Sequence, residues 1–277
     1  MLDFYRDYGV YTDPGEYASL LRDLPTSLPE LCALVKAQLI HPFALPQYAD
    51  LVPPDKACED RDYPTVRSLL AGLVAANPAG LIADREPAER LILSCRSHAL
   101  LLAAILKSRH IPVRVRYGFA TYIVPGLHAY HVICEVWKDD RNRWVLVDPD
   151  RQVVDVPAEQ FESAATAWMR YRQGGCNTSR YGVKGSWGAH PILGALVHDA
   201  AAVLGTEHLY WDEPPVAAIS EEAMATIPKD RLAVLDQMAA ALRDPDKTLR
   251  QVRALFDAHA FLQFPPVHAG TFRSKGA

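Results

Sequence analysis

The sequence has no CxxC pair, no lysine- or arginine-rich run, no internal repeat and no low-complexity segment. It also lacks any uninterrupted apolar stretch near the ~18 residues a membrane-spanning helix needs. Its five cysteines, Cys32, Cys58, Cys95, Cys134 and Cys176, are odd in number and widely scattered. That argues against a disulfide framework or a thiolate zinc knuckle, and for a reducing compartment. With a formal charge of -4 and no basic cluster, the chain offers no electrostatic footprint for a phosphate backbone or an anionic lipid surface. Neither nucleic acid nor membrane is expected as a partner. The opening MLDFYRDYGVYTD carries acids and tyrosines where a signal peptide would have a basic start and an apolar centre, so a cytoplasmic location is the expectation.

What is present suits an ordinary globular protein: 277 residues, 49% of them hydrophobic, enough to bury a substantial core in one or two domains. Residues 1–80 read as short helices punctuated by proline. Asp13-Pro14 opens one running to about Asp23. Ser27 and Glu30 form a capping box before LCALVKAQLI, which His41-Pro42 stops. YPTVRSLLAGLVAANP is a third helix, closed at Asn77-Pro78. From Cys95 the pattern changes, because CRSHALLLAAILKSRH is apolar nearly all round over Ala99 to Leu106 and predicts a helix buried on most sides. IPVRVRYGF, HVICEVW and RWVLVD follow as strands, the last two separated by the polar KDDRN. Beyond Pro157 helices return: EQFESAATAWMRYR, HPILGALVHDAAAVLG, about 220–242 and about 247–261, with a polar loop over 173–188 and a frayed end from Thr271. The expected fold class is α+β, a buried central helix packed on an antiparallel sheet with helical N- and C-terminal extensions. The expected division is a helical cover over 1–80, a core over 81–157 and a helical extension over 158–277.

Cys95 opens the buried helix, where unpaired N–H groups and the positive end of the helix dipole lower a thiol pKa. Taken alone, a buried cysteine at a helix start is more often a core residue. The hairpin supplies two further groups. A two-residue turn at Asp139-Asp140 puts His131 opposite Asp148; a four-residue turn puts it opposite Asp150, with Asp148 one diagonal step away on the same face. Three- or five-residue turns separate them. A histidine beside a carboxylate is the base-and-orienter pair an activated thiol requires. VDPD by itself reads as a strand-ending turn whose aspartates bond the local backbone.

Taken together and in order, residues 90–150 resemble the transglutaminase-like superfamily, which includes transglutaminases, peptide N-glycanases and many bacterial proteins. The matching residues are Cys95 with HALLLAAIL, Ile111-Pro112-Val113-Arg114, His131 with Glu135 and Val136, and WVLVDP from Trp144. The resemblance implies Cys95 as nucleophile, His131 as general base and then acid, and Asp148 as the orienting carboxylate. The chemistry implied is thioester-forming acyl transfer from a small-molecule or peptide amide or ester, to water or to an amine, with no metal or cofactor. The pattern departs at Leu93-Ser94 before the cysteine and at Val132 after the histidine. The upstream glutamines are Gln38 and Gln47, and neither is assignable as the family's side-chain oxyanion donor. The backbone N–H of Cys95, at the helix start, is the expected first oxyanion donor.

Two rival readings stand beside this one. Cys95 and His98, with His128 and His131, form a Cys/His set that could hold zinc. A catalytically silent domain keeping the fold for binding is the other. Arg180, Tyr181, Lys184 and Trp187 in the 173–188 loop are candidates to cover a cleft, or are plain surface, and HLYWDEP from His208 reads as an aromatic anchor for the C-terminal helices.

Overall fold

The computed structural model describes residues 2–266, so the tail from Thr271, expected to fray, lies outside the described residues. The chain forms a mixed α+β fold. Eight α-helices and nine short or long strands are described: α1 Leu2–Arg6, α2 Leu28–Gln38, β1 Leu39–Ile40, α3 Val66–Ala76, β2 Leu91–Ile92, α4 Cys95–Lys107, β3 Val113–Ala120, β4 His128–Lys138, β5 Arg143–Asp148, β6 Val153–Val154, β7 Phe161–Ser163, α5 Ala164–Arg172, β8 Tyr181–Val183, β9 Ser186–Trp187, α6 Ala189–Val203, α7 Lys229–Leu242 and α8 Pro245–Ala258. The strands are ordered β6-β5-β4-β3-β7, with β8 beside β4 and β9 beside β8. Among the described residues, contacts divide the chain into two compact units, one built from Leu2–Arg114 with Ile133–Asp155, the other from Val115–Val132 with residues 156–266.

In the first unit every residue of α4 is buried, as its all-round apolar sequence requires. Burying Leu100, Leu101, Leu102, Ile105 and Leu106 contributes about 1.5–3 kcal/mol each relative to exposure. The helix lies on the sheet closely enough for Cys134 Sγ on β4 to donate to the Ala99 carbonyl at 3.3 Å. Its N-terminus is approached through β2, which pairs in parallel with β1, Leu39 on Leu91 and Ile40 on Ile92. The sequence pattern carries α2 on to Ile40. The helix stops at Gln38 instead, because Leu39 and Ile40 find strand partners about fifty residues downstream, which no local pattern reveals. Ser27 does cap α2, accepting the Glu30 N–H at 3.4 Å while its hydroxyl donates to the Glu30 carboxylate at 2.6 Å. Thr65 and Ser68 form a capping box for α3. The segment after Asp13-Pro14 is a 3-10 helix, Gly15–Leu21, instead of an α-helix.

The β4–β5 hairpin pairs Lys138 with Arg143 and Cys134 with Val147, so its turn has four residues, 139–142, with Asn142 in the left-handed region at φ 46°. Arg114 on β3 pairs with Glu135 on β4 and lies 4.2 Å over the Trp144 ring.

In the second unit α5, α6, α7 and α8 surround a core that includes Trp168, Ile192, Leu196, Leu235, Met238 and Val252. Arg116 makes a buried two-point ion pair with Asp199 at 2.9 Å, and Asp199 also accepts the Tyr117 N–H at 2.9 Å. HLYWDEP is the anchor expected: His208 stacks on Phe264 at 4.1 Å, and Tyr210 meets Tyr117 and Tyr130 edge-on.

Three expectations for this region need correction. EQFESAATAWMRYR enters as a 3-10 turn and β7 before α5, since Phe161–Ser163 pairs with Gly118–Ala120. The 173–188 loop contains the β8–β9 hairpin, and β8 lies parallel to His128–Ala129. Glycine makes this hairpin possible, because a Cβ at Gly182, with φ 145°, would stand 2.1 Å from the Ser186 carbonyl oxygen. The 220–242 helix is broken at Pro228 into a 3-10 segment, Glu222–Thr226, and α7.

Candidate functional site

Cys95 is the first residue of α4 and is 4% exposed. The segment leading to it is held by two carboxylates, Glu59, whose Oε2 accepts the Ile92 N–H at 3.0 Å, and Asp60. Asp60 is fully buried, and its Oδ1 accepts the Ser94 N–H at 3.0 Å and the Ser97 hydroxyl at 3.1 Å, while its Oδ2 accepts from Cys58 Sγ at 3.2 Å. A carboxylate at a helix start is favoured by the dipole and by the orphan N–H groups there. Sequence reading missed Asp60, which lies in a proline-rich loop 35 residues before Cys95 with no periodicity to mark it.

Asp148 ends β5 and has no exposed surface. Its Oδ1 accepts the Arg151 N–H at 3.0 Å, the strand-ending turn bond that VDPD suggests by itself. Asp150 is also buried and is engaged differently: Lys36 on α2 holds its Oδ1 at 2.6 Å, with Arg151 Nε 3.9 Å from Oδ2. His98, one turn into α4 and fully buried, bonds through Nδ1 to the Ser94 carbonyl at 3.0 Å, leaving Nε2 3.7 Å from Asp150 Oδ1. A carbonyl can only accept, so Nδ1 carries the proton. Burial lowers the His98 pKa from 6.5 to about 4.

His131 belongs to the second unit, where it is 3% exposed on β4 and meets the Tyr122 ring edge-on at 6.4 Å. Three residues earlier on the strand, and so on the opposite face, His128 stacks on Tyr181 at 4.2 Å and pairs with Glu162 at 3.0 Å. Glu162 accepts in addition from the Tyr181 hydroxyl at 2.7 Å and from Arg170 at 3.0 Å. Of the extra histidines in the rival zinc set, His98 is bonded through Nδ1 and His128 faces Glu162, and among the described residues no group of three or more His, Cys, Asp or Glu side chains could hold a metal ion.

Three of the other cysteines have raised thiol pKa values. Burial, reinforced by the Asp148 charge, pushes the Cys32 thiol up to about 12. Burial and the Asp60 charge push Cys58 up to about 12 as well. Burial also raises Cys176, against the pull of Arg170. A thiol pushed to about 12, as for Cys32 and Cys58, presents almost no thiolate at neutral pH.

Comparison with known proteins matches one segment of the chain to a family. Residues 86–149 match the model of the Transglutaminase-like superfamily. No curated protein matches the chain. A solved structure described as "a Putative Cysteine Protease from Cytophaga hutchinsonii" aligns at 14% identity over 59% of this chain, with a TM-score of 0.35; the alignment spans 47% of that protein, under half its length. The matched segment runs from the approach to α4 through the end of β5. The chain therefore contains a transglutaminase-like superfamily domain.

Proposed function

We propose that this protein is a thiol enzyme that performs acyl chemistry on a small-molecule or peptide amide or ester through a thioester on Cys95. In this reading His131 is the general base and then acid, and Asp148 orients it. The observation that carries the reading is the content of the family-matched segment: residues 86–149 hold Cys95 at the first position of α4, His131 on β4 and Asp148 at the end of β5, in that order. The four-residue hairpin turn supports it, being one of the two turn lengths that keep Asp148 on the same sheet face as His131. The Lys36 ion pair on Asp150 favours Asp148 over Asp150 as the orienter.

Attack of the Cys95 thiolate on the carbonyl forms the C–S bond. Collapse expels the amine or alcohol, protonated by His131, and leaves the thioester. Water or an amine, deprotonated by His131, then releases the acyl group and restores the thiolate. Incubation with p-nitrophenyl acetate followed by peptide mass spectrometry tests the reading. Acetyl transfer to Cys95, with Cys32, Cys58 and Cys176 unmodified and the burst of nitrophenolate lost in Cys95→Ala, is the expected result. An unmodified Cys95 in folded protein sinks it and favours a domain that keeps the fold for binding.

A further inference from the structure

We infer that the Ser94 hydroxyl is a side-chain donor for the oxyanion formed when Cys95 attacks a carbonyl; this rests on the thiol acyl-transfer reading above. Ser94 is the N-cap of α4, with extended backbone at φ -70° and ψ 173°. A serine at that position ordinarily accepts a hydrogen bond from the second or third helical N–H. Ser94 does not: no side-chain cap bond forms, and the Ser97 N–H bonds instead to the Ser94 carbonyl at 3.0 Å. That carbonyl also takes His98 Nδ1 at 3.0 Å, while the Ser94 N–H goes to Asp60 at 3.0 Å. The backbone of Ser94 is thus pinned on both sides and its hydroxyl is left over. Ser94 is 8% exposed, and its Oγ is buried with no hydrogen-bond partner.

A native fold rarely keeps a buried hydroxyl unpaired unless a partner arrives later. The residue is adjacent to the nucleophile, at the positive end of a 13-residue helix, where negative charge on a reacting oxygen is favoured. The upstream glutamines leave the role open. Gln38 is buried and fully engaged, donating to the carbonyls of Leu34 at 2.9 Å and Ile82 at 2.6 Å and accepting from Arg85 at 2.9 Å. Gln47 is exposed in the Pro42–Tyr48 3-10 helix.

With p-nitrophenyl acetate, the thiolate sulfur bonds to the carbonyl carbon and the carbonyl π pair moves onto oxygen, which accepts the Ser94 O–H without proton transfer. Collapse restores the carbonyl and expels p-nitrophenolate. Iodoacetamide alkylates the same sulfur by displacing iodide, with no oxyanion at any stage.

The test is the ratio of these two rates at Cys95 in wild type, Ser94→Ala and Ser94→Thr. The expected result is unchanged alkylation in Ser94→Ala, acetylation slowed about 10²–10³-fold as for loss of one oxyanion donor, and recovery of most of that loss in Ser94→Thr. Acetylation of Ser94→Ala within threefold of wild type would overturn the inference. So would an equal slowing of both reactions, which would place the hydroxyl's effect on the thiol or the fold. A wild type whose Cys95 alkylates but never acetylates would overturn the acyl-transfer reading beneath it, and is distinguishable because the failure precedes any substitution.

Discussion

Acid should destabilise this protein through His98, and the size of the effect follows from where that ring sits. His98 is fully buried in the first turn of α4, donates through Nδ1 to Ser94, and faces Asp150 with an Nε2 that has no hydrogen-bond partner. Burial lowers its pKa from 6.5 to about 4; the Asp150 charge opposes this and the Lys36 charge assists it. Because the folded value lies below the unfolded one, the unfolded chain binds the extra proton between the two. Stability is therefore complete above about pH 6.5 and is lost as pH falls toward 4, below which both states are protonated. Integrating over that window gives a loss of about 2 kcal/mol between pH 7 and pH 5 from this one group. The assay is urea unfolding of wild type and His98→Gln at pH 7, 6 and 5. A glutamine side chain has no proton to gain in this range, so the wild type should lose about 2 kcal/mol more than the variant. Parallel pH profiles for the two proteins would refute the reasoning.

Asp60→Ala removes the acceptor of two well-formed bonds from Ser94 N–H and Ser97 Oγ in a dry environment. It should cost about 2–6 kcal/mol, at about 1–3 kcal/mol per orphaned donor, read as a lower urea midpoint; a change under about 1 kcal/mol would mean the α4 entrance does not depend on it. Lys36→Met leaves the Asp150 carboxylate buried without its closest cation. Lys36 is itself 27% exposed, so the expected cost is about 2 kcal/mol, between the values for surface and buried pairs. The double variant with Asp150→Asn should recover part of that loss, and strictly additive losses in a double-mutant cycle would count against the pairing.

Several parts of the architecture were legible because local physics determines them. Ser27 with Glu30 announces α2, and the apolar run from Ala99 to Leu106 marks the helix covered on most sides. The alternating, β-branched segments around KDDRN produce β4 and β5 as expected. The turn length of that hairpin was not legible, since both two- and four-residue turns satisfy the polar composition of 139–142; the left-handed Asn142 belongs to the longer one. The short strands β1, β7, β8 and β9 escaped because two or three residues carry no period, and their identity comes from partners remote in sequence. The same holds for the polar groups around the candidate site. Cys95 is marked by the helix it opens, whereas Asp60 and the Lys36–Asp150 pair are brought in by packing across 34 and 114 residues.

The central claim is that Cys95 is an activated thiol dependent on His131. The direct measurement is the pH dependence of Cys95 alkylation in wild type and His131→Ala, read by peptide mass spectrometry with Cys32, Cys58 and Cys176 as internal controls of raised pKa. The account predicts that Cys95 reacts well below the free-thiol pKa of about 8.5 and that His131→Ala removes this low-pH reactivity. A Cys95 that titrates like an ordinary or a buried thiol, or whose profile is the same without His131, would contradict it.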